Sequence, residues 1–189
     1  SDQGKKIRAV ISYTDNEGNS EQITTVSKNI FFAVADNTTD GITATGGGGN
    51  DLLIGSKNND TLSGSSGDDE IQGGDGDDTI EGDDGNDTLY GGAGNDTIDG
   101  GAQTDVIYGG DGDDDLRDNN GTIYGGAGND TIYTASTEYS LKHKTGGRDG
   151  ELKVYGGDGD DFISGPSFSF VDAGSGDDTV QVGLGNGYR

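Results

Sequence analysis

From Gly46 onward, single aliphatic residues return at a fixed interval. Leu53, Leu62, Ile71, Ile80, Leu89, Ile98, Ile107 and Leu116 stand nine residues apart. An isolated apolar residue between polar ones, as in Thr79-Ile80-Glu81 or Thr97-Ile98-Asp99, predicts a three-residue strand with one inward and two outward side chains. Cut in the same frame, residues 46–117 form eight units with Gly at position 1, Asp at position 6 and Leu or Ile at position 8 in every one. Positions 2 and 4 are mostly Gly, which suits left-handed backbone and tight turning. A strand this short after a six-residue turn cannot fold alone, and a repeat of fixed period predicts a solenoid. Two units close one flattened coil of 18 residues, and coils stack at about 4.8 Å, the spacing of strands in a sheet. One wall then carries Leu53, Ile71, Leu89 and Ile107, and the other Leu62, Ile80, Ile98 and Leu116.

Beyond 117 the register loosens. Residues 118–124 make a seven-residue unit without Asp at position 6, and 125–133 restore the pattern. An insertion occupies 134–155, 156–164 resume, 165–172 are short and lack the Asp, and 173–181 are nearly regular. Residues 1–45 read differently. Ile7 to Thr14 alternates like a strand, Asp15 to Asn19 is a turn, and Ser20 to Val26 returns as a second strand. This hairpin resembles the end of a bacterial Ig-like or cadherin-like surface repeat; the alternative is a hairpin that caps the solenoid. Residues 30–45, from Ile30-Phe31-Phe32-Ala33-Val34-Ala35 onward, lead into the first coil and cover its open end. The division is therefore 1–45 and 46–189. The chain begins and ends inside structural units, as a piece of something longer would, and Ser1 to Lys6 is not followed by the apolar stretch of a cleavable secretory signal.

Composition sharpens this reading. Only 27% of residues are hydrophobic, and 36 acidic residues face 11 basic ones for a net charge of −25. Such a chain would be classed as disordered were its residues not ordered in period. No apolar run is long enough to span a membrane. The charge excludes a nucleic-acid interface, which needs a basic face. Without Cys there is neither a disulfide nor a thiolate metal site.

Two thin ladders of Leu and Ile bury too little area to hold the fold. The turns stack as well, with Asp51, Asp69, Asp87 and Asp105 along one edge and Asp60, Asp78, Asp96 and Asp114 along the other. Carboxylates a few ångströms apart repel and need a cation between them. Ligands that are oxygen only, carboxylate plus backbone carbonyl, suit Ca²⁺ in preference to Zn²⁺ or Cu²⁺, and its flexible coordination favours it over Mg²⁺.

These units resemble the GGxGxDxUx nonapeptide of RTX (repeats-in-toxin) proteins over roughly 46–133 and 156–181. The resemblance implies an all-β, calcium-bound parallel β-roll. It also implies ions held between successive turns by the position-6 carboxylate and the carbonyls at positions 2 and 4. On one edge these are Gly47, Gly49 and Asp51, then Ser65, Gly67 and Asp69, then Asp83, Gly85 and Asp87. On the other they are Gly74, Gly76 and Asp78, then Gly92, Gly94 and Asp96, then Gly110, Gly112 and Asp114. The later units add Gly126, Gly128 and Asp130; Gly157, Gly159 and Asp161; and Gly174, Gly176 and Asp178. Asn58 and Gln103 depart from Gly at position 4, so Asp60 and Asp105 are expected to sit in weaker sites, and the units at 118–124 and 165–172 to leave gaps.

Other features carry less. The insertion holds Lys142, His143, Lys144, Arg148 and Lys153, which read as a solvated loop in preference to a basic recognition loop. The sole histidine, His143, has no H-E-x-x-H around it and no nucleophile elbow accompanies it, so no catalytic residue is proposed. No P-loop Lys follows the Gly-rich runs, and the EF-hand spacing is absent. Thr61, Thr79, Thr88, Thr97, Thr131 and Thr179 recur at position 7, and Tyr90, Tyr108 and Tyr133 at position 9. A flat Thr ladder would suit ice and stacked Tyr a carbohydrate or other cell-surface ligand. Plain β-propensity takes precedence, because Leu52, Glu70, Val106 and Asp115 interrupt the series.

The expectation is a calcium-binding structural module, monomeric within a longer chain, extracellular, and folded by Ca²⁺ outside the cell. An adhesin-like parent is preferred to a secreted hydrolase or toxin with its catalytic domain upstream. Export by a one-step (type I) channel is implied by the family resemblance.

Overall fold

The computed structural model describes residues 22–24, 41–134, 152–165 and 168–182. These form a stack of coils in which chain direction is the same in every strand of a sheet. In chain order the strands are β1 (Gln22–Thr24), β2 (Thr43–Gly48), β3 (Leu52–Ile54), β4 (Thr61–Ser66), β5 (Glu70–Asp75), β6 (Thr79–Glu81), β7 (Thr88–Ala93) and β8 (Thr97–Asp99). They continue with β9 (Asp105–Asp111), β10 (Asp115–Arg117), β11 (Gly121–Ala127), β12 (Thr131–Tyr133), β13 (Lys153–Asp158), β14 (Phe162–Gly165), β15 (Phe170–Ser175) and β16 (Thr179–Val182). The first sheet, of seven strands, contains the odd-numbered strands from β3 to β15; the second, of nine, contains β1 and the even-numbered ones. All pairings are parallel, with Leu53 beside Ile71 and Leu62 beside Ile80, the 18-residue register of a β-solenoid of about seven turns. No helix occurs among the described residues.

The core is what the period predicts, one side chain per strand. Leu53, Ile71, Leu89, Ile107, Ile123 and Val154 line the first sheet, and Ala44, Leu62, Ile80, Ile98, Leu116, Ile132 and Ile163 the second, all buried. The strands are less uniform than the expected three residues. In the first sheet, from β5 onward, they run to six or seven residues, because pairs such as Gly74↔Gly92↔Gly110↔Gly126↔Gly157↔Gly174 stay in the ladder through the turn. In the second sheet they shrink to three or four from β6 onward.

The solenoid begins earlier than position 46, since β2 starts at Thr43. It also absorbs a strand from the N-terminal region: β1 pairs in parallel with β2 through Gln22↔Thr43 and Thr24↔Thr45. The predicted hairpin partner, Ile7 to Thr14, and the lead-in up to residue 40 lie outside the described residues; the end of the lead-in runs into β2. The insertion ends sooner than 155, because Lys153, Val154 and Tyr155 pair with Thr122, Ile123 and Tyr124 in β13. Its basic residues other than Lys153 lie outside the described residues. At the far end Val180 occupies a core register yet is 44% exposed.

The outward ladders sort by wall in a way the single series at position 7 obscured. Thr43, Thr61, Thr79 and Thr97 follow one another without a break on the second sheet until Asp115; Leu52, Glu70 and Val106 belong to the first. Tyr90, Tyr108, Tyr124 and Tyr155 stack on the first sheet at 4.9, 4.8 and 4.8 Å with nearly parallel rings, while Tyr133 is on the other wall, edge-on to Phe162. Tyr124 and Tyr155 were hidden in the irregular unit and the insertion. The faces of Tyr108 and Tyr124 are spent on their neighbours, so within the stack these rings stabilise the wall and offer a sugar only edges and hydroxyls.

Candidate metal centre

The turns fall into two rows, one at each edge. The first edge holds the turns that end at Asp51, Asp69, Asp87 and Asp105; the second, those that end at Asp60, Asp78, Asp96, Asp114, Asp130, Asp161 and Asp178. In each row the backbone N–H at position 6 donates to Oδ1 of the position-6 carboxylate one coil later. Along the first edge, Asp51, Asp69 and Asp87 donate to Asp69, Asp87 and Asp105 at 2.7, 2.7 and 2.8 Å. Along the second edge the chain of bonds runs from Asp60 through Asp78, Asp96, Asp114, Asp130 and Asp161 to Asp178, at 2.7–3.0 Å. It crosses the 16-residue step at Asp114 and the 31-residue step at Asp130 unbroken.

Glycine is required at positions 2 and 4 for a local reason. At Gly92 φ is +123°, and a Cβ there would strike the Gly74 carbonyl oxygen; at Gly94, φ +131°, it would strike that of Gly76. The carbonyls at positions 2 and 4 thus point along the axis from one turn to the next. Where the residue is not Gly, Ser65 (φ 78°), Asp83 (φ 71°) and Gln103 (φ 85°) hold the left-handed conformation nonetheless, at a cost of about 1 kcal/mol each. Gln103 therefore leaves its turn intact. Position 1 is Gly because the second carboxylate oxygen, Oδ2, lies against its Cα, as Asp96 Oδ2 does at Gly91.

That second oxygen is the informative atom. Oδ2 of Asp69, Asp78, Asp87, Asp96, Asp105, Asp114, Asp130 and Asp161 is buried and accepts no hydrogen bond. A buried unsatisfied carboxylate oxygen is strongly unfavourable. Burial, reinforced by neighbouring carboxylates, pushes the pKa of Asp78, Asp87, Asp114 and Asp130 up to about 7, while burial is the first cause holding Asp69 and Asp96 at about 6. These groups need a proton or a cation. Among the described residues no three acidic or histidine side chains converge, so any ion would take one carboxylate from each of two turns and complete its shell with backbone carbonyls. Oxygen-only donors of this kind fit a hard divalent ion.

Two sequence-predicted ligands differ from the rest. Asp60 Oδ1 accepts from Ile42 N–H at 2.6 Å in the usual way, but its Oδ2 is satisfied by Ser56 N–H at 2.6 Å. Neither Ser56 nor Asn58 has the left-handed backbone, so the departure at Asn58 removes the turn geometry there. Asp178 accepts from Asp161 N–H at 3.0 Å but is only half-buried, in the last described coil.

The sequence reading missed a second row beside each first one. Position-5 side chains accept the position-5 N–H of the next coil: Asn59 from Asp77, Asp77 from Asn95, Asn95 from Asp113 and Asp113 from Asn129, at 2.7–3.0 Å. Asn and Asp alternate along this exposed row, so like charges are not adjacent until Asp160 and Asp177. The signal was in the repeat, at a position whose two residue types looked interchangeable. Also missed was Asp118, 3% exposed in the short unit that was read as a gap. The expected gaps on the first edge are otherwise in place: Gly121, Leu152 and Ser169 take the register of position 6 after Asp105.

The profile of the RTX calcium-binding nonapeptide repeat (4 copies) matches residues 45–80, 54–89, 81–116, 118–136, 153–165 and 168–188. The chain belongs to this RTX repeat family. No curated protein and no solved structure matches the chain. Membership makes calcium the ion that the two-turn, oxygen-only donor sets are suited to, and the RTX module is a calcium-binding structural element.

Proposed function

We propose that this RTX module is an extracellular structural segment that is unfolded at low calcium and becomes rigid at the millimolar calcium outside a cell. The buried Oδ2 rows carry the reading. Eight carboxylates cannot remain ionised and unpartnered in so thin a core, so the coils do not close until their charge is offset. Calcium, when bound, supplies that charge, and its binding free energy becomes folding free energy. In the folded coils the chain's own residues hold the register: each position-6 N–H fixes the Oδ1 of the next coil, glycines aim the carbonyls of positions 2 and 4 along the axis, and the Leu and Ile ladders exclude water between the walls.

An unfolded state at low calcium suits passage through a narrow type I export channel, which is the route the family resemblance implies. The parent fitted best by a repetitive rigid spacer is an adhesin-like surface protein. Parallel pairing of β1 with β2 supports the N-terminal region acting as the solenoid's cap, in preference to the remnant of a separate sandwich. A role at the C-terminal side of a secreted hydrolase or toxin is the second reading. No observation favours an ice or carbohydrate ligand over these. Far-UV circular dichroism at about pH 8 tests the central claim: a coil spectrum in EDTA and a β spectrum after addition of Ca²⁺ are expected, and a β spectrum that persists in chelator at that pH overturns it.

A further inference from the structure

The first edge changes at the seven-residue unit. Regular turns carry Gly at position 1 and Asp at position 6. The turn after β10 reverses them: Asp118 follows Arg117 in the place of Gly100, and Gly121 pairs with Asp105 in the place of the next aspartate. The register supports this reading, since Gly100 N–H donates to Arg117 O and Asp118 N–H to Tyr133 O, successive links of one ladder. At position 1 a side chain projects toward the position-6 carboxylate, as the Cβ built at Gly100 meets Asp105 Oδ2 at 2.8 Å. Asp118 thus enters from the opposite end of the turn the space that the missing aspartate vacates.

Its carboxylate is held like the others. Oδ1 accepts from Asn119 N–H at 2.6 Å and Asn120 N–H at 3.1 Å, while Oδ2 is buried with no hydrogen-bond partner. Asp105, fully buried, spends Oδ1 on Asp87 N–H and likewise leaves Oδ2 without a partner. Asn120 fastens both: its N–H goes to Asp118, and its carbonyl accepts Asp105 N–H at 3.1 Å. Its Nδ2 donates to Thr104 Oγ1 at 3.2 Å, which leaves Asn120 Oδ1 as a further buried oxygen without a partner in this turn. The two carboxyls lie close enough to act on each other, and burial is the first cause disfavouring charge on both. The neighbouring cation, Arg117, is committed to Asp115 at 2.8 Å on the exposed face.

We propose that Asp105 and Asp118 hold a divalent cation of the calcium type, a site outside the nonapeptide pattern that closes the first edge's row of ions. The proposal rests on the calcium reading above and adds a ligand that no repeat position supplies. In the next coil Thr134 takes the register of Asp118 and Leu152 that of Gly121, and Leu152 packs against the core, so this is where the ion row ends and apolar packing begins.

The test is the number of Ca²⁺ ions bound by the whole chain at equilibrium dialysis, in the wild type, Asp118→Asn and, on the second edge, Asp96→Asn. Asp118→Asn is expected to fold in Ca²⁺ with one ion fewer. An unchanged count in Asp118→Asn beside a reduced one in Asp96→Asn overturns this site alone and assigns the pair a shared proton. A wild type that binds no Ca²⁺ overturns the underlying reading as well. Should Asp118→Asn fail to fold, anomalous scattering from wild-type crystals grown with Ca²⁺ decides: a peak between Asp105 and Asp118 is expected, and its absence beside peaks on the second edge overturns the site.

Discussion

The two edges of this solenoid start from the same repeat and end differently. The second edge carries seven aspartates in one unbroken chain of N–H···Oδ1 bonds from Asp60 to Asp178. The first carries four, then the reversed turn at Asp118, then Leu152 and Phe168, which pack against the core. The long insertion leaves the solenoid at that edge, between Thr134 and Leu152, in the part that no longer presents carboxylates. An edge held by ions demands the same six-residue turn in every coil, because each ion needs oxygens from two successive turns. An edge held by apolar contact demands only that something fills the space. Tolerance of insertion therefore follows the chemistry of the edge, while both walls keep their 18-residue core register regardless.

The largest expected effect comes from glycine on the uniform edge. Gly92→Ala drives a Cβ into the Gly74 carbonyl at a φ of +123°, and should destabilise the calcium-loaded form by roughly 3 kcal/mol or more. Gly48→Ala on the first edge meets nothing within 4 Å and should be nearly neutral. Thermal unfolding in saturating Ca²⁺ compares them; equal losses would erase the distinction.

Next in size, Asp96→Ala should raise the calcium midpoint of folding about tenfold or more, since two turns lose an oxygen donor, whereas Asp60→Ala should shift it far less, its Oδ2 being already satisfied by Ser56. Calcium titrations followed by circular dichroism check the pair, and equal shifts would mean that Asp60 is an ordinary ligand.

Smaller is the response to pH in chelator. Asp78, Asp87, Asp114 and Asp130 lie at about 7 in the folded solenoid, well above the ordinary aspartate value. The metal-free fold therefore binds more protons than the unfolded chain between about pH 4 and 7. Its stability is greatest at the acid end of that window and is lost as pH rises through 7. With Ca²⁺ the sign reverses, because protons compete with the ion. Acidification from pH 8 to 5 in EDTA should recover part of the β spectrum and in limiting Ca²⁺ should weaken binding; identical trends in both would break the argument.

The smallest effect belongs to the wall between the edges. Tyr124→Ala interrupts the stack of Tyr108 and Tyr155 and should lower stability by about 1 kcal/mol without altering calcium stoichiometry. A changed ion count would tie that wall to the adjoining first edge at Asp118.

The nine-residue period was enough to place Leu53, Leu62 and their successors in two ladders, to put the aspartates in two rows, and to select an oxygen-loving divalent ion. These properties are local and repeated, so each unit states them again and agreement among units removes the ambiguity of any one. Tyr155 and Val154 escaped because an insertion hides register, and register is a matter of which coil lies beneath. Asp118 escaped for a sharper reason: reversing Gly and Asp within a shortened turn conserves the carboxylate in space while removing it from its place in the sequence. The repeat alone determined that short strands alternate with oxygen-rich turns of a calcium-binding family. Which oxygens are left without a partner, and where a row of aspartates gives way to apolar packing, was decided only by stacking the coils, because a carboxylate's environment is made by the turns above and below it.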